Sequence, residues 1–307
     1  MTNRRRIEKT LASAPTNWLS AIGYWLLAIG YWLFSRLVFA DKTWFNRSRK
    51  GLLYPDSTAT IGATGRQPFY SIPMSHSVES HLRLDIAEYD ELIRRFIPGY
   101  DEMLSELTDY LAFYLVDRER PQVLDLGTGT GSLAALVLQR IPNSSVIGID
   151  TDPAMIVEAR ERLADLLPRV THLLGDFFGP LPHPSDACMA SLALHHVREL
   201  AEKRRLYRKI FGALAPHGIF INADAMFAEN SPLEQWMRSG WAKHLIACGF
   251  TKAEADSHFQ QWSTEDRYFE VQTELHLLHD AGFTNLEVVW RRGPMAVVAG
   301  HKGRNEK

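Results

Sequence analysis

The stretch "VLDLGTGTGSLA", residues 123–134, decides the fold expected for this 307-residue chain. Its first half is a short apolar run ending in glycine, as in a buried strand, and "SLAALVLQRI" (132–141) has the apolar spacing of a helix. Gly127, Gly129 and Gly131 occupy the turn between them, where glycine permits positive φ and lets a ligand approach the backbone closely. The free N–H groups of the following helix favour a negatively charged group. The stretch therefore predicts a strand–turn–helix unit with a ligand at its turn.

Strands and helices alternate along the chain on the C-terminal side of this unit. Apolar runs predict strands at 144–150, 169–176, 186–194 and 218–226, helices at 153–167 and 198–216, and a closing strand hairpin at 284–300. Such alternation is typical of parallel βαβ units. The predicted fold is α/β, a doubly wound and mostly parallel sheet of about seven strands, with the last strand antiparallel and helices on both faces.

The composition of the chain divides it into four segments. Residues 1–50 are basic at both ends and apolar in the middle, whereas residues 51–78 are rich in Gly, Pro, Ser and Thr, as linkers are. Residues 79–301 form the α/β domain, and residues 302–307 are a short tail. Two predicted helices begin the domain, the first spaced on Leu82, Ile86, Tyr89, Ile93 and Phe96 and the second on Tyr100, Met103, Leu104, Leu107, Leu111 and Leu115.

The distribution of charge lowers the expectation of a nucleic-acid partner. Residues 1–50 carry nine basic and two acidic side chains, whereas the rest of the chain carries 25 basic and 34 acidic ones. An acidic body is a poor partner for a phosphate backbone.

Cys188 and Cys248 are sixty residues apart and form no Cys-x-x-Cys pair, so a disulfide framework and a structural zinc site are not expected. A reducing, cytoplasmic compartment fits this cysteine usage.

Three acidic residues follow successive predicted strands at one edge of the predicted sheet. Asp125 precedes the first glycine by two residues, where its carboxylate can meet a cationic amino group. Asp150 ends the second strand and suits hydrogen bonds from ribose hydroxyls, although it is also placed to cap the helix near Pro153. Asp176 ends the third strand, near the expected adenine edge. Together these acids predict a ligand that contains both a nucleoside and an amino-acid group. A nicotinamide dinucleotide is disfavoured, since Ser132 stands where the dinucleotide fingerprint has its third Gly or Ala.

These residues resemble the first motif of the class I S-adenosylmethionine-dependent methyltransferases. The resemblance continues through "GIDTDPAMIVEAR", "GDFF", "SLALHHV", "LAPHGIFINAD" and "LLHDAGF", and it covers about residues 79–301. It implies a Rossmann-like fold, S-adenosylmethionine as co-substrate, and transfer of a methyl group to an O, N or C nucleophile of a small-molecule acceptor. The cofactor-binding residues that it implies are Tyr100, Asp125, Gly127, Thr128, Gly129, Gly131, Asp150, Thr151, Met155, Asp176, Phe177 and Ser191.

The segment "RRFIPGYDEML" (94–104) is similar to the lead-in of the carboxy-S-adenosylmethionine synthase of tRNA wobble-uridine modification. By that likeness Tyr100 would contact the methionine portion of the cofactor, Asp150 and Thr151 the ribose, and Asp176 and Phe177 the adenine. Two positions depart from the synthase. Ser191 replaces an asparagine, and Leu277 replaces the arginine that binds the extra carboxylate. Because that carboxylate then lacks a cationic partner, methyl transfer is the favoured function. The synthase and a non-catalytic S-adenosylmethionine-binding protein remain alternatives.

Two adjacent histidines, His195 and His196, follow the fourth predicted strand and are the candidate catalytic residues. An imidazole titrates near pH 6.5, which suits a general base at neutral pH. The alternative is that one of them packs over the cofactor. No metal site is predicted, because His195–His196 and His276–His279 lack supporting ligands in the sequence.

Aromatic residues are frequent between the fifth predicted strand and the hairpin. They form either a lid over a planar acceptor or ordinary packing of helices on the sheet, and they are Phe227, Trp236, Trp241, Phe250, Phe259, Trp262 and Tyr268. His244 and His258, in the same region, are expected at the surface.

The N-terminal segment repeats one phrase, "AIGYWLLAIGYWLF", at residues 21–34. Trp18, Trp25, Trp32 and Phe39 fall seven residues apart and form one helical stripe. Aromatic residues along the whole length favour a helix lying at a membrane surface, through residues 11–40, over a helix that spans the bilayer. A true span and a non-functional extension remain alternatives. The expected location is cytoplasmic, with membrane association through this segment and a homodimer left open.

Overall fold

A computed structural model describes residues 86–303 of the chain. Seven strands form one sheet: β1 Gln122–Leu126, β2 Ser145–Asp150, β3 Val170–Leu174, β4 Ser185–Ser191, β5 Leu214–Ala225, β6 Thr284–Arg292 and β7 Met295–His301. The strand order is β3-β2-β1-β4-β5-β7-β6. Pairs from β3 to β5 are parallel, and β7 runs antiparallel to both of its neighbours. The predicted doubly wound sheet with an antiparallel last strand is confirmed.

Helices connect β1 to β2, β2 to β3 and β4 to β5, as in βαβ units, whereas the chain passes from β3 to β4 without a helix. The helices are α1 Ile86–Phe96, α2 Tyr100–Tyr114, α3 Ser132–Arg140, α4 Pro153–Arg162, α5 Leu200–Ala213, α6 Pro232–Ala247, α7 Lys252–Glu265 and α8 Val271–Ala281. Single 3-10 turns cover Ala164–Leu166 and Leu194–His196.

The core has two halves because the sheet buries both of its faces. Side chains alternate along β1, so that Val123 joins the half covered by α2 and α3, whereas Leu124 and Leu126 join the half covered by α5 and α8. Strands buried on both faces become nearly continuous apolar runs in the sequence. This burial explains why "QVLDL" could be recognised as a strand without polar alternation.

Several element boundaries differ from the sequence prediction. The helix predicted at 198–216 ends at Ala213, because Leu214 already pairs with Ser185 as the first residue of β5. β4 ends at Ser191 instead of residue 194, because Leu192 has a positive φ of 51° and the chain turns there. His195 and His196 therefore lie in a 3-10 turn after the strand.

The predicted N-terminal segments, 1–50 and 51–78, lie outside the described residues, as does the proposed membrane-surface stretch at 11–40. The division of the chain into these segments stays a prediction. Among residues 86–303, no helix combines the length and apolar character needed to cross a membrane.

Candidate active site at the carboxyl ends of the strands

The glycine-rich turn after β1 is the centre of the site. The N–H groups of Gly127 and Thr128 both donate to the carbonyl oxygen of Ile149, at 2.9 and 3.0 Å. This bifurcated contact ties the turn to the end of β2. Because β1 and β4 are neighbours whose chain connections run in opposite directions, the turn lies at the topological switch point of the sheet. Open α/β sheets bind ligands at that point.

The glycines of this turn have different roles, although all three have positive φ. A Cβ atom on Gly127 would lie 2.5 Å from that of Ala193, so this glycine is required by packing. A Cβ on Gly131 would lie 3.0 Å from the Leu163 side chain, again a packing constraint. A Cβ on Gly129 would meet nothing within 4 Å. Gly129 therefore presents bare backbone to open space, the arrangement that a closely approaching ligand needs.

Asp150, at the end of β2, contacts the backbone of Gly129. Its carboxylate accepts hydrogen bonds from the N–H groups of Gly129, at 2.8 Å, and Asp152, at 2.9 Å. Burial raises the pKa of Asp150, and these backbone donors oppose that rise. The helix-capping alternative for Asp150 is wrong, since Asp152 is the N-cap of α4 and accepts from Ala154 N–H at 2.8 Å. The carboxylate of Asp150 retains acceptor capacity for hydroxyl groups.

Asp125 lies beneath the turn and is only 1% exposed. Its carboxylate accepts a hydrogen bond from the Thr128 hydroxyl at 2.7 Å. Burial raises the pKa of Asp125 to about 7, against the opposing effect of this hydrogen bond. Thr128 in turn packs on Gly148, where any Cβ would come within 2.7 Å of its hydroxyl. Asp125 thus holds the turn from below, and its contact with a cationic amino group stays a prediction.

Helix α1 contacts the turn through Asp90, and no sequence pattern indicated this contact. The Asp90 carboxylate accepts hydrogen bonds from the hydroxyls of Thr130, at 3.2 Å, and Ser132, at 3.1 Å. It also pairs with Arg162 of α4 at 2.5 Å. Burial, followed by the charges of Asp150 and Asp90, raises the pKa of Tyr89 to about 12. In the sequence Tyr89 fits the apolar face of a helix, so nothing in its residue type indicates that it lies close to Asp150.

The remaining predicted cofactor residues lie along the same edge of the sheet. Tyr100 is half-buried at the start of α2, with the Arg94 guanidinium 5.8 Å from its ring centre, and burial raises its pKa. Asp176 is exposed just beyond β3 and accepts from Phe178 N–H at 2.7 Å. The others are half-buried Phe177 and Ser191, buried Met155 and exposed Thr151. Their contacts with a cofactor stay predictions.

His195 is held from one side by an aspartate on β5. Its Nδ1 lies 2.6 Å from Asp224 Oδ1, and its backbone N–H donates to the other carboxylate oxygen at 3.0 Å. Burial disfavours the protonated imidazole, but the charge and hydrogen bond of Asp224 outweigh it and raise the pKa of His195. Burial also acts on Asp224, yet the nearby imidazole lowers the pKa of that carboxyl. With Nδ1–H donating to an ionised Asp224, the lone pair of His195 lies on Nε2.

A second aspartate, Asp266, joins both histidines. Its Oδ1 lies 3.2 Å from His196 Nδ1 and 3.7 Å from His195 Nε2, while its Oδ2 accepts from the Tyr268 hydroxyl at 2.7 Å. The expectation that the histidine pair lacks a supporting side chain is therefore wrong. Asp224 could have been found from the sequence, because it is a further acid at a strand end, in "INAD". Asp266 follows α7 and has no such signal.

Most of the aromatic residues of the α6–α7 region belong to the core or pack against it, whereas Trp236 is 67% exposed. Phe227, Trp241 and Tyr268 are buried, and Trp241 stacks on Trp262 at 5.2 Å between ring centres. This observation favours the packing interpretation over an open lid. His258 also corrects the prediction of a surface residue, since it is half-buried and stacks on Trp262 at 5.7 Å. His244 is half-buried as well, for it lies on the side of α6 that faces the chain around Arg94 and Arg95.

Comparison with known proteins identifies the family. The family model of a methyltransferase domain matches residues 123–218. An uncharacterized methyltransferase of Geobacillus kaustophilus is 31% identical over 180 residues, which cover 58% of this chain and 75% of that protein. The chain belongs to the class I S-adenosylmethionine-dependent methyltransferases. A carboxy-S-adenosyl-L-methionine synthase of Nautilia profundicola is 27% identical over 203 residues, 66% of this chain and 86% of the relative.

Solved structures of methyltransferases share the fold. An O-methyltransferase family protein from Burkholderia thailandensis gives a TM-score of 0.54 at 18% identity, over 75% of this chain and 64% of that one. PigF, solved with SAH, gives 0.50 at 18% identity, over 70% and 58%. The chain thus spans less than two thirds of either structure. This enzyme is an S-adenosylmethionine-dependent methyltransferase, and S-adenosylmethionine is its co-substrate.

Proposed function

We propose that this methyltransferase moves the methyl group of S-adenosylmethionine to an O, N or C nucleophile of a small-molecule acceptor, with His195 as the general base. The observation that carries the proposal is the hydrogen bond of 2.6 Å between His195 Nδ1 and Asp224, which leaves the Nε2 lone pair to accept a proton. The position of the base supports it as well. His195 follows Ala193 by two residues, and Ala193 packs against Gly127 of the cofactor turn.

The site fits the cofactor by its own geometry. Gly129 offers an open backbone face, and Asp150, which accepts the Gly129 N–H, has a carboxylate suited to ribose hydroxyls. When bound, S-adenosylmethionine supplies a methyl group on a sulfonium, already activated for in-line displacement. The protein then has to align the acceptor with the donor and exclude water, which can account for much of the rate.

His195 supplies the proton transfer that a hydroxyl, amine or similar acceptor requires. Its Nε2 accepts the acceptor proton as the new bond to carbon forms, and the ionised Asp224 stabilises the resulting imidazolium through Nδ1–H. General-base catalysis of this kind contributes about 10²–10⁴-fold to a rate. The raised pKa of His195 makes it a stronger base, but the imidazole is ready to act only at pH values above that pKa.

Substitution of the base tests the proposal. The acceptor is first found by adding enzyme and methyl-labelled S-adenosylmethionine to a metabolite extract and following the label by mass spectrometry. His195→Gln should keep its affinity for S-adenosylmethionine in calorimetry and lose about 10²-fold or more in turnover. His279→Gln, an exposed histidine on α8, is the matched control and should keep both. Unchanged turnover in His195→Gln would end the assignment of the base.

A carboxy-S-adenosylmethionine synthase is the second candidate, supported by relatives of that name such as the one from Nautilia profundicola. Leu277 speaks against it. This residue, which takes the place of the synthase's carboxylate-binding arginine, is 2% exposed within the core between α8 and the sheet. It offers no cation for an added carboxylate. Incubation with prephenate and S-adenosylmethionine tests the alternative, and formation of the carboxylated cofactor would replace methyl transfer as the proposed function.

Membrane-surface contact through residues 11–40 is a separate proposal, supported by the aromatic stripe and flanking basic residues of that segment. The test compares sedimentation of the full chain and of a chain beginning at Met74 with anionic lipid vesicles. Equal sedimentation would remove the proposal. A homodimer and a cytoplasmic location are also proposals. Sedimentation velocity tests the homodimer, and cell fractionation tests the location.

A further inference from the structure

We propose that His195 Nε2, His196 Nδ1 and Asp266 Oδ1 form a binding site for one divalent transition-metal ion of the zinc and cobalt class. We further infer that an ion at this site stops methyl transfer, an effect that rests on the proposed role of His195 as base. The binding of the ion does not depend on that role.

The spacing of the three atoms suits such an ion. All of them lie within 4.8 Å of one another. Asp266 Oδ1 is 3.2 Å from His196 Nδ1 and 3.7 Å from His195 Nε2. Bonds from zinc to nitrogen and oxygen are about 2.0–2.2 Å, so the ligand atoms of a tetrahedral site lie about 3.3–3.5 Å apart. The two distances to Asp266 lie on either side of that value, and the two histidine nitrogens are no more than 4.8 Å apart, so closure of the site around an ion requires only side-chain movement.

The surrounding hydrogen bonds already orient two of the three ligands. Asp224 binds Nδ1 of His195 at 2.6 Å, so the ring turns its Nε2 toward Asp266. Tyr268 donates to Oδ2 of Asp266 at 2.7 Å, so that Oδ1 is the oxygen directed at the histidines. Metal-binding histidines and carboxylates are usually held in this way by partners behind them. The groups that would support an ion are therefore in place.

The donor set indicates the class of ion. Two imidazole nitrogens and one carboxylate oxygen suit Zn²⁺, Co²⁺ and related ions, whereas Mg²⁺ and Ca²⁺ prefer oxygen ligands alone. Three protein ligands leave room in the coordination sphere for water. The His196 side chain is 43% exposed, compared with 12% for His195 and 8% for Asp266, so an ion can enter from the His196 side.

Metal binding and base catalysis exclude each other at this site. Both need the lone pair on His195 Nε2, because Nδ1 is committed to Asp224. An ion bound there prevents that nitrogen from accepting a proton. Turnover of the metal-loaded enzyme should therefore fall to the level of the His195→Gln variant.

Direct binding measurements on the full chain test the site. The protein is stripped with a chelator and titrated with Zn²⁺ by calorimetry and with Co²⁺ by visible absorption. One ion per chain is expected, with the absorption of a four- or five-coordinate cobalt site. His196→Asn should weaken binding at least about tenfold. The double variant His276→Asn/His279→Asn is the matched control for adventitious binding in a chain of twelve histidines, and it should bind as the parent does.

Each outcome decides one part of the inference. No stoichiometric ion, or equal affinity in His196→Asn, would overturn the site. Asp266→Asn is a second variant, with thermal unfolding to confirm that it folds, and unchanged affinity there would have the same meaning. Zinc-loaded protein that turns over at the full rate would overturn the inhibition. If the metal-free enzyme also shows no methyl transfer, the proposed function fails, while the binding data still decide the site.

Discussion

Replacing Gly127 or Gly129 with alanine separates the packing of the glycine-rich turn from its proposed contact with the cofactor. Both residues have positive φ, 70° and 53°, so alanine costs about 1–2 kcal/mol at either position for its left-handed conformation. At Gly127 the new methyl would also lie 2.5 Å from the Cβ of Ala193. Overpacking of a close-packed core adds about 1–3 kcal/mol. Gly129 has nothing within 4 Å and incurs the backbone cost alone.

Gly127→Ala should therefore lose more thermal stability, whereas Gly129→Ala should lose more affinity for the cofactor. A domain of this size loses about 2–4 °C of Tm per kcal/mol, so Gly127→Ala should lower the Tm by about 4–20 °C and Gly129→Ala by about 2–8 °C. Calorimetry with S-adenosylhomocysteine should show the larger loss for Gly129→Ala. Its methyl would occupy the open face by which we propose that the cofactor approaches, and a loss of about tenfold in affinity corresponds to about 1.4 kcal/mol.

Two results would contradict these roles of the glycines. Wild-type affinity in Gly129→Ala would mean that the cofactor does not approach the turn from its open face. A Gly127→Ala protein that unfolds at the wild-type temperature would mean that the contact with Ala193 is not a packing constraint.

Three further predictions concern the residues around the site. Asp224→Asn should lower kcat by about 10²-fold. It should also move the acid limb of the pH–rate profile to lower pH, because the carboxylate no longer raises the pKa of His195. An acid limb that stays in place would contradict the pairing of Asp224 with His195. Lys203→Met leaves buried Glu274 without its ion-pair partner and should reduce the free energy of unfolding in urea by about 3–5 kcal/mol. The double variant Lys203→Met/Glu274→Gln should recover most of the lost free energy of unfolding. A double variant in which the two losses add would contradict the buried ion pair. Leu277→Ala should cost about 2–5 kcal/mol in the same titration, whereas a surface position would show almost none.

Much of the fold follows from local patterns, whereas the contacts of His195 do not. Asp224 is recognisable as an acid at a strand end, but its pairing with His195 is not. The glycine turn and the acids at strand ends are readable because parallel strands bring their carboxyl ends to one edge. Asp224 is 29 positions from His195, and Asp266 is further still along the chain. Their meeting depends on how β4, β5 and the segment after α7 come together, which residue types alone do not encode. Asp90 reaches Ser132 across 42 positions for the same reason.

The end of β4 and the separate roles of Asp150 and Asp152 could not be predicted for a different reason, because the local sequence allows more than one arrangement. Asp150 and Asp152 both precede Pro153 within three residues, and only the observed hydrogen bonds show that Asp152 caps the helix while Asp150 points to the turn. Leu192 adopts a positive φ that its residue type disfavours, so nothing in the sequence marked the end of β4 there. Such departures from local preference often lie at functional sites.

The proposed methyl transfer is tested most directly by following the methyl group itself. Methyl-labelled S-adenosylmethionine is incubated with the enzyme and a metabolite extract, with prephenate present, and all small molecules are analysed by mass spectrometry. The label should enter a small-molecule acceptor with the parent enzyme and not with His195→Gln. An extract in which no metabolite is labelled, while the cofactor itself gains a carboxylate, would contradict the proposed methyl transfer.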